Sequence, residues 1–293
     1  MASAHFMRRY TVIFFLLLLL PVLRVFPQAP PYQFSHIDID QGLSNNQVNC
    51  IFKDSKGFMW FGTISGLNRY DGYTFRIFKH DVRDSASLPD NFIERITEAP
   101  GGLLWIYARD GQHIYDPARD AFLSPQPVLQ QLGIPDTAVN DIVRDAQDGY
   151  WFIHPTNGLY YAAAGKTPAL RIQHTKDSST IYDNSLAAVT PAADNNLWLL
   201  HSNGILEKMD GRSKRISYRN DLLFRQSKGI PQRYALLADR EGDLWIYSIN
   251  DAQGIWYFNQ RTQAFSHYDQ NSRPIRLNNN IVRGVVQDNQ GRI

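Results

Sequence analysis

A single cysteine, Cys50, occurs in 293 residues, so no internal disulfide can form and stability must come from a packed core. No CxxC pair and no Cys/His cluster at zinc-ligand spacing is present, which argues against a structural zinc site. The GxSxG, HExxH, P-loop and glycine-rich dinucleotide patterns are all missing, so no enzyme class has a local signature here and no cofactor is expected. Methionine is scarce, at four, whereas 13% of the residues are aromatic, a balance that favours strands over helices. No apolar run reaches the roughly 20 residues that a membrane-spanning helix needs.

Acidic residues are absent before Asp38. In that stretch Arg8 and Arg9 precede an apolar run from Val12 to Leu23, the pattern of a secretory signal peptide, assigned to residues 1–29. Without it 27 basic residues face 28 acidic ones, and no basic patch suggests nucleic acid as a partner. Cys50 lies in an apolar stretch and reads as a small buried hydrophobe.

What the chain does have is a repeat. Trp60, Trp105, Trp151, Trp198 and Trp245 are 45, 46, 47 and 47 residues apart. Neighbouring positions keep the phase. Six residues before each tryptophan stand Asp54, Ala99, Asp145, Ala192 and Asp239, and nine before stand Ile51, Ile96, Ile142, Val189 and Leu236. Twelve before are Val48, Ile93, Val139 and Leu186, with Arg233 as the exception. Val282, Val285 and Asp288 continue the register toward a sixth unit, so the chain reads as part of a longer protein.

Each unit reads as four short strands. In the first these cover 47–52, 58–63, 66–70 and 73–78, with Asp71-Gly72 as a hairpin turn. The second strand recurs as LLWIYA, YWFIHP, LWLLHS and LWIYSI, apolar on both faces as a sandwiched strand must be. Four strands at this period, repeated radially, make an all-β fold: a β-propeller of four-stranded antiparallel blades. The domain is placed at 30–293, with repeats at about 43–80, 88–125, 134–174, 185–220 and 231–268, and an incomplete one at 277–293. The five tryptophans are expected in its core. Residues 32–38 resemble a fourth strand and are expected to close the ring from the outside of the last blade.

Residues 42–81, GLSNNQVNCIFKDSKGFMWFGTISGLNRYDGYTFRIFKHD, resemble the opening repeat of the two-component regulator propeller family, the periplasmic sensor region of Bacteroidetes hybrid two-component systems. The resemblance extends over about 32–293 and weakens in the fourth unit, where Pro191 and Asn195-Asn196 depart from the pattern. It implies a membrane-anchored, homodimeric protein with seven-bladed propellers outside and a histidine kinase, which would lie in a part beyond this sequence. It further implies an oligosaccharide ligand, sensed on the periplasmic face of the inner membrane, and control of genes for polysaccharide use. The fragment itself would be no enzyme.

In a propeller the turn between the second and third strands and the lead-in to the first strand open on one face. On that face the sequence places Arg109, His113, His154, Asn157, His201, Asn203 and Asn250 as candidate ligand-binding residues. His154 and His201 share a repeat position but lack a third metal ligand, so no metal is expected. The recurring Asp54, Asp145, Asp239 and Asp288 read as turn carboxylates that accept backbone N–H bonds, not as catalytic acids. Two other readings fit the same blades: a secreted lyase of the streptogramin-lyase type, and a periplasmic protein-binding scaffold.

Overall fold

The computed structural model describes residues 35–135, 139–192, 194–249 and 251–293. The segment read as a signal peptide lies outside the described residues, as do 32–34 of the strand expected over 32–38; the described remainder, 35–38, forms no strand and joins no blade. All strands belong to the unit Asp38–Ile293.

They form five antiparallel four-stranded sheets, each in simple sequence order. The first holds β1 (Val48–Lys53), β2 (Met59–Thr63), β3 (Gly66–Tyr70) and β4 (Phe75–Phe78), and the second β5 (Ile93–Ala99), β6 (Leu103–Ala108), β7 (Gly111–Asp116) and β8 (Ala121–Leu123). The third holds β9 (Asp141–Arg144), β10 (Tyr150–His154), β11 (Gly158–Ala162) and β12 (Leu170–Ile172), and the fourth β13 (Leu186–Pro191), β14 (Leu197–His201), β15 (Leu206–Met209) and β16 (Ile216–Asn220). The fifth holds β17 (Tyr234–Ala238), β18 (Leu244–Ser248), β19 (Ile255–Asn259) and β20 (Ala264–Tyr268). Strands β1, β5, β9, β13 and β17 contact one another in succession. They are therefore the inner strands, and the sheets are the blades expected from the repeat.

Between blades lie the cores. One cluster joins Trp60, Leu67 and Phe78 of the first blade to Ile96, Leu104, Ile106 and Tyr115 of the second. The same relation recurs from the second blade to the third, the third to the fourth and the fourth to the fifth. Trp60, Trp105, Trp151 and Trp198 are at most 1% exposed. Burying each ring contributes on the order of 2–3 kcal/mol. Trp245 is only partly buried, and residues 281–293, which follow the fifth blade, form no strand. At the opposite end Ile51, one of the recurring apolar positions, is 60% exposed, while its counterparts Ile96, Ile142 and Val189 are buried.

Two helices were not anticipated from sequence: α1 (Gln126–Leu132) and α2 (Leu222–Ser227), in the links after the second and fourth blades. Helix α1 ends at Gly133 in the left-handed conformation and inserts Leu129 and Leu132 into the core between blades. The start of the sixth unit folds only as a turn, in which Oδ1 of Asp288 accepts from the backbone N–H of Gln290 and Arg292 at 2.8 and 2.9 Å. Among the described residues no helix is long and apolar enough to cross a membrane.

Candidate functional site

The turn between the first and second strands is rigid. In the first blade Oδ1 of Asp54 accepts from the N–H of Lys56 and Phe58, and its Oδ2 accepts from Nε1 of Trp60 at 2.8 Å. Asp145 holds Trp151 in the same way at 2.9 Å, and Asp239 holds Trp245 at 2.9 Å. The carboxylate thus completes the turn and fixes the indole as well. Where alanine replaces it the indole needs another solution. Trp105 donates to Oε1 of Gln112 at 3.0 Å, whereas Trp198 has no partner among the described residues. These aspartates are occupied by structure, on the end of the blade away from the turns between second and third strands.

At that other end, the third residue after the tryptophan is polar in four blades, Ala108 being the exception, and its side chain is held by hydrogen bonds to the hairpin or to the lead-in. Oγ1 of Thr63 lies 2.8 Å from Oγ of Ser44 and donates to the carbonyl of Gly66. His154, 2% exposed, accepts at Nδ1 from the N–H of Thr156 and Asn157, both at 3.1 Å. His201, fully buried, is held by Oδ1 of Asp183 at 2.9 Å and by Oε2 of Glu207 at 2.7 Å. Glu207, also fully buried, is paired in turn with Nε of Arg219 at 2.6 Å. Burial acts to depress the His201 pKa, but the hydrogen bonds and charges of Asp183 and Glu207 outweigh it and raise the value. Burial likewise acts to raise the Asp183 pKa, and its bonds to His201 and Asn203 overcome this and lower it.

The inner strands carry a second feature. In three blades the pairing of first and second strands slips by one residue, bulging out Asn49, Glu94 and Ala187. A bulge re-aims the side chain it contains. Glu94 and Ala187 turn toward the central axis, where with Arg95, Asn140, Asp141, Ser202, Gln232 and Arg233 they line a cavity of about 700 Å³. Such a volume suits a small ligand. Arg95 forms an ion pair with Asp141 at 2.6 Å, lies 3.8 Å over the ring of Tyr107 and donates to the carbonyl of Asn140. Tyr107 is among the lining residues, but its hydroxyl is itself buried and has no partner among the described residues.

The candidates named from sequence sit around this cavity and not in its wall. His154 and His201 face inward as described. Arg109 stacks over Phe92 at 4.5 Å, His113 bonds Asp110 at 2.9 Å, Asn157 lies against His154 and Arg171, and Asn203 donates to Asp183 at 2.8 Å. Asn250 lies outside the described residues. No group of side chains able to hold a metal ion occurs among the described residues. The wall residues Glu94, Arg95 and Asp141 carried a signal that went unread: they occupy positions at which the repeat stops repeating.

Four-stranded sheets meeting around a polar opening define a β-propeller. Residues 42–65 match the model of the two component regulator propeller family, in agreement with the resemblance drawn from the sequence. Histidine kinase P4 of Formosa agariphila is 44% identical over 55 residues, which are 19% of this chain and 4% of that protein. The chain thus spans a small fraction of the curated relative it matches. Among solved structures, one is the extracellular domain of a chain described as a hybrid two component system of B. thetaiotaomicron. It is similar over 80% of this chain and 32% of its own, with TM-score 0.56 and 25% identity. PorZ of Porphyromonas gingivalis, described as a bacterial surface component of the type-IX secretion system, covers 79% of this chain and 35% of its own at TM-score 0.53 and 12% identity. Virginiamycin B lyase of Staphylococcus aureus covers 77% and 71% at TM-score 0.50 and 16% identity. At those identities the last two show the fold alone. The propeller fold is what all these structures share with the blades, and the family match and the hybrid two component system domain point to a sensor-type propeller.

Proposed function

We propose that this chain is the exported, ligand-sensing propeller of a hybrid two-component histidine kinase, that its ligand is an oligosaccharide, and that its output is transcription of genes for polysaccharide use. The observation that carries this reading is the cavity of about 700 Å³ at the axis, to which four blades contribute polar groups. Donors and acceptors alternate there, as a polyhydroxylated ligand requires. Arg109, Asn157 and Asn203 on the surrounding turns supply outer contacts.

A ligand that bridges several blades binds one arrangement of them better than another, and that differential affinity is what a sensor transmits to its partner subunit and kinase. Calorimetry of the purified chain against a panel of oligosaccharides tests the binding step, with the carbohydrate recovered and analysed afterwards. Stable binding with the sugar returned intact is the expected result. Consumption of the sugar would replace the sensor with an enzyme.

A further inference from the structure

Arg233 is the exception to an apolar rule, and the fifth blade explains why. Its first strand pairs without the slip seen in three of the other blades: Tyr234 stands opposite Ser248, the place that Leu186 takes opposite His201 one blade earlier. One residue of the bulge is therefore missing. Tyr234, 3% exposed, fills the buried position, and Arg233 is displaced into the lead-in, where it lines the axial cavity. Its guanidinium is exposed and makes no hydrogen bond, ion pair or ring contact among the described residues.

The other wall groups show what surrounds that charge. Arg95 and Asp141 neutralise each other at 2.6 Å. Glu94, exposed on the second blade, is the other unpaired charge of the wall. The hydroxyl of Tyr107 is itself buried and is not offered to the cavity. The cavity thus offers a guanidinium from one side and carboxylate acceptors from the other.

Resting on the oligosaccharide reading above, we propose that this cavity takes an acidic sugar: Arg233 binds the carboxylate of a uronate unit, while Glu94 and the Arg95–Asp141 pair bond its hydroxyls. A guanidinium matches a carboxylate with two parallel N–H bonds, a match that a neutral sugar does not offer. Arg233 is accordingly the residue that sets specificity for charge.

The test is calorimetry of the full chain against trisaccharides of galacturonate, glucuronate, mannuronate and guluronate, against their methyl esters, and against neutral cello-, xylo- and maltotriose. At least one uronate trisaccharide is expected to bind, its methyl ester at least about tenfold more weakly. Arg233→Gln should weaken the acid form by a similar factor and leave the ester unaffected, with an unchanged melting curve. Equal binding of acid and ester, or an acid form indifferent to Arg233→Gln, overturns the inference. Binding of neutral trisaccharides without any uronate also overturns it while leaving the oligosaccharide reading in place. Failure of every trisaccharide, charged or neutral, removes both.

Discussion

Trp151 donates its indole N–H to Oδ2 of Asp145 at 2.9 Å, and one blade later Trp198 stands at the same repeat position, with Ala192 in place of the aspartate and with the indole N–H unmet among the described residues. The pair isolates the worth of a single carboxylate in two copies of one motif.

Replacing Asp145 by alanine should cost roughly 1–3 kcal/mol, since it orphans the indole and the backbone N–H groups of Gln147 and Gly149. The reciprocal change, Ala192→Asp, should stabilise by about 1 kcal/mol by giving Trp198 its acceptor. Urea unfolding of both variants measures the two values. A destabilised Ala192→Asp protein would mean that the fourth blade has no room for the carboxylate.

Gly62 is needed for space. A Cβ at this position would lie 2.5 Å from Sγ of Cys50 and 2.6 Å from Cγ2 of Ile93, the latter on the next inner strand. Gly62→Ala is therefore expected to destabilise by about 1–3 kcal/mol through overpacking. Because Cys50 is half of the clash, Cys50→Ala should recover part of the loss, and a double-mutant cycle gives the coupling.

Burial pushes the Cys50 thiol up to about 11. The folded protein should therefore react slowly with a thiol reagent at pH 8, and the unfolded chain quickly, because the thiolate is the reactive form. Labelling rates across a denaturant series would read out opening of the first blade. Rapid labelling without denaturant would show that β1 opens easily.

The pair on His201 sets a pH dependence with a definite sign. Its folded pKa is raised, so the stabilisation is full below its unfolded value, about 6.5, and is lost as pH rises through the folded value. Asp183 behaves oppositely: its lowered pKa gives stability that is present above about 3.9 and is lost as pH falls through the folded value. Unfolding free energies from pH 4 to 9 should decline toward the alkaline end. His201→Gln should flatten that decline, and should cost about 3–5 kcal/mol at neutral pH because the buried Glu207 loses one of its two charged partners and keeps only Arg219 and the backbone N–H of Tyr182.

The repeat was legible because one apolar requirement recurs in every blade: Trp105 and Trp151 pack between sheets for the same reason, and the same reason spaces them. The first blade was readable strand by strand, Gly66–Tyr70 matching its expected bounds. Helix α1 escaped notice because seven residues in a link give too short a period to separate from a loop. The roles of His154 and His201 were also hidden. A polar residue near a turn can face water or the interior, and only the partners brought by other segments, such as Asp183 and Glu207, decide which.

The sequence by itself determined the blade: its period, its tryptophan and its turn carboxylate, all of which depend on contacts that repeat locally. Only the tertiary structure decided what lies on the axis. Whether a first strand bulges is a matter of pairing register, and register places Glu94 in the cavity, seats Tyr234 in the core and turns Arg233 out into the cavity wall.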